Sequence, residues 1–223
     1  MITAQIVSIP EREDMLRNTV ASLIPQVDRI NVMLNAYEWV PYFLKDGKID
    51  VYRFDNSTGD AAKFYEAYED GYVLTCDDDI IYPPDWVSTM TAYVEKFKAI
   101  TTIIGKIFKA KPITTFYGTR DRLIAYHWNK AQESAQRVQV GGTGVMCFHT
   151  DIFRPKYEDF LYPNMADVWV SKFSHEQGVP IYVIPHNGHW IDYQEPPLQR
   201  TIWGQCYFGI TDDTKQTEVF NSF

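Results

Sequence analysis

Apolar and polar positions along the first hundred residues alternate between two periods. Ile2–Ser8 (ITAQIVS) and Arg29–Asn35 (RINVMLN) are short, mostly apolar runs that read as buried strands, and Ile49–Phe54 (IDVYRF) alternates as a half-buried strand does. After the first run, Leu16, Val20, Leu23 and Ile24 recur at helical spacing, and Ser8-Ile9-Pro10-Glu11 has capping-box spacing with Ser8 as the N-cap. Asn56-Ser57-Thr58-Gly59-Asp60 breaks the pattern and predicts a helix over residues 60–70, with Ala61, Phe64, Tyr65 and Tyr68 on one face. Residues 71–76 form a fourth strand, and Pro83-Pro84 opens a helix whose inner face carries Trp86, Met90, Val94 and Phe97.

Strand and helix alternating in this way imply right-handed crossovers and an α/β, doubly wound sheet. Ligands of such sheets lie beyond the carboxyl ends of the strands. Three polar loops fall at such ends: residues 8–12, 55–60 and 77–79. After about residue 101 the pattern changes, with strands expected over 101–104, 113–117, 122–127, 145–148 and 180–184, and a helix over 166–177 closed by Gly178. Residues 129–137 read as a mobile polar loop, and from His186 onward no clear secondary structure is expected. The whole chain, 1–223, reads as one domain, with the part beyond about residue 101 a second lobe on the same sheet.

Composition narrows the function classes. A net charge of −8 over 223 residues disfavours a nucleic-acid binder. No apolar run approaches the roughly 20 residues of a membrane span, and no secretory leader is visible. Three cysteines without metal-ligand spacing fit a reducing, cytoplasmic setting.

The chemistry concentrates at Asp77-Asp78-Asp79, three like charges directly after an apolar strand. Around a strand end Asp77 and Asp79 are expected to share one side and Asp78 the other. Two carboxylates held together call for a cation or a proton, and hard oxygen ligands suit Mg²⁺ or Mn²⁺ completed by phosphates and water. The plain alternative is a solvated acidic turn.

At this point the chain resembles the GT-A-fold glycosyltransferases of the family 2 type. The resemblance rests on Ser-Ile-Pro-Glu-Arg after the first strand, on GDAAKF and on TCDDD. It continues with GGTGVMCFHTDIF and with MADVWVSKFSHEQGVPIYVIP, spread over about residues 3–190. It implies a GT-A (Rossmann-like) three-layer sandwich with a mostly parallel central sheet and a smaller acceptor-side lobe, the nucleotide-sugar-binding half being about residues 1–100 and the acceptor and catalytic half about 101–223. It also implies an inverting, Mn²⁺- or Mg²⁺-dependent transfer from a nucleotide-diphospho-sugar, most simply a UDP-sugar, to a glycan, lipid-linked or protein acceptor. Carried over by residue, Asp77 and Asp79 become metal ligands and Asp167 the general base, although Ala166 stands where the family often has a further acid. Ser8, Pro10 and Arg12 fall in the nucleoside-gripping loop, and Asp55 and Asp60 near uracil or ribose. Lys63 falls near the diphosphate and Asp78 beside the nucleoside, and His189 is a candidate further metal ligand. For each there is a plainer role: cap, turn, exposed lysine, or an acid at a helix start. A nucleotidyltransferase and a non-catalytic carbohydrate-binding protein are the competing readings.

Overall fold

The computed structural model describes residues 1–65, 69–118 and 123–223, with the backbone but not the side chain of Arg200. Its first four strands are β1 (Ile2–Ser8), β2 (Arg29–Asn35), β3 (Ile49–Phe54) and β4 (Tyr72–Asp77). A short β5 (Ile80–Ile81) follows, then β6 (Ile100–Thr102), β7 (Gly105–Phe108), β8 (Leu123–Tyr126), β9 (Gln136–Val138) and β10 (Val140–Gly141). The last are β11 (Val145–His149), β12 (Ile181–Val183) and β13 (Asp192–Tyr193). The helices are α1 (Glu13–Leu23), α2 (Trp86–Phe97), α3 (Ala166–Glu176), α4 (Ile202–Tyr207) and α5 (Thr214–Asn221).

Among the described residues, eight strands form one sheet in the order β3-β2-β1-β4-β11-β6-β12-β9. The pairs β3-β2, β2-β1, β1-β4 and β6-β12 are parallel, and only β11 and β9 run the other way. The sheet is therefore mostly parallel and continues through both halves of the chain. β10, β7 and β8 form a separate three-stranded sheet, and β13 pairs with β5.

Side-chain alternation along the strands feeds two cores, one on each face. Leu74 and Cys76 of β4, with Val145 and Cys147 of β11, join Leu16, Val20 and Leu23 of α1 and Trp86, Met90 and Val94 of α2. Val73, Met146 and Phe148 turn the other way, toward Val170 and Phe173 of α3 and Phe220 of α5. The result is three layers, helix–sheet–helix. Cys76 and Cys147 are buried free thiols. Among the described residues no helix is long and apolar enough to cross a membrane.

Several sequence expectations are corrected. Ser8 does not cap α1. It is the last residue of β1, a 3₁₀ turn (Pro10–Arg12) intervenes, and its hydroxyl lies 3.3 Å from that of Tyr37. The helix expected over 60–70 is a 3₁₀ segment, Gly59–Phe64. Tyr65 leaves it with ψ of 128° and packs its ring among Tyr52, Phe54 and Tyr157. The expected position Tyr68 lies outside the described residues, as does Arg122 at the start of the strand expected over 122–127.

Residues 113–117 form no strand. Their backbone is satisfied by side chains instead: Asn221 bonds both Ile113 N–H (2.8 Å) and Ile113 C=O (2.9 Å), and Asp213 accepts from Tyr117 N–H (2.6 Å). β9 takes up the last two residues of the stretch read as a loop over 129–137 and adds an antiparallel edge to the sheet. The chain beyond His186 is ordered into β13, α4 and α5.

Candidate functional site

The sheet order reverses between β1 and β4, since the chain steps outward through β2 and β3 and then returns to the other side of β1. At such a switch point neighbouring loops diverge and leave a crevice. The loop after β1 and the turn after β4 both open there.

β4 ends at Asp77, and Asp78-Asp79 form a tight turn into β5. The turn is pinned from outside. Thr19 Oγ1 is 2.9 Å from Asp78 C=O and 2.8 Å from Ile80 C=O, and Gln194 N–H donates to Asp79 C=O (2.8 Å). Asp77 N–H donates to the Tyr82 hydroxyl (3.0 Å), which donates in turn to Gly144 C=O.

This turn changes the expected pairing. Arg12 Nη1 reaches Asp78 Oδ1 at 2.9 Å and Asp79 Oδ2 at 3.0 Å, so these two carboxylates converge on one guanidinium. Asp77 pairs instead with Lys63 from the 3₁₀ segment. Alternation along a strand does not govern Asp78 and Asp79, because the strand has already ended. Lys63 is 2% exposed. Burial alone would lower its pKa, but Asp77 and Asp60 more than compensate and raise it, so it stays charged. Burial raises Asp78 and Asp79, and for Asp79 the charges of Asp77 and Asp78 add to the rise.

Asp60 and Asp167 complete the group. Asp60 accepts from Ala166 N–H (3.1 Å) at the start of α3, its Oδ1 is sealed from solvent without a partner, and burial raises its pKa to about 6. Asp167 sits in the first turn of α3. Its Oδ1 accepts from both Thr143 N–H (2.8 Å) and Thr143 Oγ1 (2.7 Å), which leaves Oδ2 without a protein hydrogen bond among the described residues.

The remaining expected residues are placed as follows. Pro10 begins the 3₁₀ turn that presents Arg12, and Ser8 lies buried beneath it. Asp55 is exposed and accepts from Ser57 N–H (2.9 Å), capping its own turn. His189 has a positive φ of 56° and lies edge-on to Trp128 at 5.2 Å. Among the described residues no three His, Cys, Asp or Glu side chains are grouped as metal ligands. Sequence reasoning missed Thr143, Tyr82 and Thr19. Only Thr143 carried a signal, as the polar residue in GGTG.

A divalent cation of the Mg²⁺ or Mn²⁺ kind needs only one or two protein carboxylates beside substrate oxygens. Asp79 Oδ1 is buried without a partner and Asp77 is half exposed, so the donor set fits such an ion.

Gly144 faces Asp77 at close range: a Cβ built there would overlap Asp77 Oδ2 and Cγ. Gly144→Ala must therefore push the Asp77 carboxylate off Lys63. The expected result is a protein destabilised by about 1–3 kcal/mol whose nucleotide affinity falls. Chemical denaturation together with nucleotide calorimetry checks both.

The sequence matches no known family profile and no curated protein. Solved structures do match the fold. S. aureus TarS 1-349 superposes with a TM-score of 0.52 at 11% identity, over 84% of this chain and 58% of that one. The chain thus spans a little over half the length of that neighbour. The same protein in complex with UDP-GlcNAc gives 0.52 at 12% identity, over 99% and 70%. The 4-diphosphocytidyl-2C-methyl-D-erythritol synthase of Anaerococcus prevotii gives 0.54 at 14% identity, over 94% and 96%. The chain has a GT-A-like, Rossmann-type α/β fold. At these identities the likeness is one of fold, and it agrees with the sheet order and with a crevice at the ends of β1 and β4.

Proposed function

We propose that the chain is a glycosyltransferase that moves a sugar from a nucleotide-diphospho-sugar, most simply a UDP-sugar, to an acceptor hydroxyl with inversion. The observation that carries this reading is the arrangement across the crevice. Arg12, Lys63 and the aspartate turn lie on the β1/β4 side, and the unengaged Oδ2 of Asp167 lies at the start of α3. Inversion in one displacement needs one base for the acceptor proton, and Asp167 is held by Thr143 so that a single oxygen is offered. Arg12 is the partly exposed cation that a diphosphate would meet, and Lys63, buried behind Asp77, adds its field. The complex of TarS with UDP-GlcNAc supports the choice of donor class.

Asp77 and Asp79 would hold Mn²⁺ or Mg²⁺, which when bound offsets charge on the leaving diphosphate. His189 would join only if its loop moved toward them. The expected result is that UDP binds with Mn²⁺ present, that affinity drops at least tenfold with the ion removed, and that Asp79→Ala abolishes the difference. Calorimetry of UDP with and without Mn²⁺ measures this. Equal affinity in every case overturns the metal assignment, and no binding at all overturns the nucleotide reading.

The match to the diphosphocytidyl synthase over nearly the full length of both chains favours a second reading, nucleotidyl transfer. That reaction releases pyrophosphate from a nucleoside triphosphate, whereas sugar transfer releases a nucleoside diphosphate. A pyrophosphate assay with CTP and UTP, run beside a screen of nucleotide-sugars by thermal shift, separates the two. The loop Ser8–Arg12 has one Arg and no Gly, which favours sugar transfer.

A further inference from the structure

Lys106 projects from β7, the middle strand of the three-stranded sheet. Its Nζ lies 4.5 Å from the ring centroid of Phe116 and 4.8 Å from that of Tyr117. Among the described residues it donates no hydrogen bond and has no carboxylate within ion-pair distance, yet it is not sealed away from solvent. This is unusual for a lysine with most of its stem covered. The two ring faces attract the ammonium, but they supply no acceptor for its three N–H groups. Burial lowers its pKa, and the fields of Asp167 and Asp213 only partly oppose this.

The surroundings give the position a direction. The field of Asp167 reaches both Lys63 and Lys106, whereas that of Asp77 reaches Lys63. The charge of Asp167 thus acts on a lysine of the first half of the chain and on a lysine of the second. Tyr117, one of the two rings under Lys106, is also a wall of an open cavity of about 380 Å³ whose lining includes Trp203, Tyr207, Thr115, Asp212 and Asp213. Trp203 and Tyr207 stack at 5.1 Å and are 40% and 60% exposed.

We propose that Lys106 is an anion subsite on the acceptor side of Asp167, and that the acceptor carries a phosphate or carboxylate close to the hydroxyl that is glycosylated. The assignment rests on the glycosyltransferase reading for the word acceptor, while the anion site itself rests on Lys106 and its surroundings. An anion there would take the ammonium's vacant donors. The aromatic cavity beyond Tyr117 would take the rest of the acceptor, its rings meeting apolar sugar or polyol faces.

The test uses the full chain saturated with UDP, so that the donor side of the crevice is occupied, and titrates glycerol 1-phosphate against it by calorimetry. Wild type, Lys106→Met and Lys106→Arg are compared. Met keeps the stem over the rings and Arg keeps the charge, and thermal melts confirm that each variant is folded. The expected result is binding by wild type and Lys106→Arg, with affinity about tenfold or more weaker in Lys106→Met. Equal affinity in wild type and Lys106→Met overturns the subsite. A second arm compares UDP-glucuronate with UDP-glucose. If Lys106→Met changes that preference and leaves glycerol 1-phosphate binding alone, the anion belongs to the donor sugar and the acceptor assignment is overturned. If UDP fails to bind, the donor reading fails by itself, and the glycerol 1-phosphate comparison is run on the UDP-free chain with the same two outcomes.

Discussion

Asp167→Asn should abolish sugar transfer, by about 10²–10⁴-fold if the carboxylate serves as the general base, while UDP affinity and thermal stability stay close to wild type. The separation is expected from the hydrogen bonds. Both Thr143 contacts fall on Oδ1, and an Asn Oδ1 can accept both, without the carboxylate's charge. The loop before β11 and the start of α3 therefore keep their geometry. Only the oxygen that Thr143 leaves unengaged changes, from an acceptor of a proton to an amide nitrogen that cannot take one. Transfer and donor hydrolysis measured beside UDP calorimetry test this. Unchanged transfer in the variant would remove Asp167 from the chemistry and leave it as an acid placed at a helix start.

Lys63→Met has the larger expected effect on folding. Lys63 is buried and pairs with Asp77, and Asp60 also helps keep it charged. Removing the cation leaves Asp60, whose Oδ1 has neither solvent nor partner, and Asp77 with uncompensated charge. Removing one partner of a buried pair costs roughly 3–5 kcal/mol, and the solvent reaching Asp77 places the expectation near the lower end. Chemical denaturation should show the midpoint fall, and UDP binding should weaken with it. The double variant Lys63→Met, Asp77→Asn should recover part of the loss, because it removes the charge left stranded. A midpoint within about 0.5 kcal/mol of wild type in the single variant, the range of an ordinary surface change, would show that the pair is not structural.

The first half of the fold was legible because its signals are local. β1, β2 and β4 are apolar runs, and α1 and α2 carry apolar residues at helical spacing. The ends of β1 and β4 then follow, and with them the region of the site. What resisted reading depends on contacts between distant segments. Arg12 bridges Asp78 and Asp79 across more than sixty residues, and the turn that permits this begins where strand periodicity stops. Ile113 and Tyr117 have the composition of a strand but take their hydrogen bonds from Asn221 and Asp213, near the far end of the chain. α4 and α5 are short, and their flanking Gly, Thr and Asp residues look like loop. Thr143 could be seen only as a polar residue among glycines. Its role appears once α3 brings Asp167 against it.

The sheet order also sets a timetable for the chain during its synthesis. β4 lies between β1, made earlier, and β11, which ends about seventy residues later. At roughly 5–20 residues per second the ribosome needs about 4–14 s to add that length. Throughout that interval the strand ending at Asp77 has one partner and one bare edge. An unpaired edge of this kind invites pairing with other chains. The aspartate turn therefore acquires its full support, from Gly144 and from Gln194, only after most of the protein has been made.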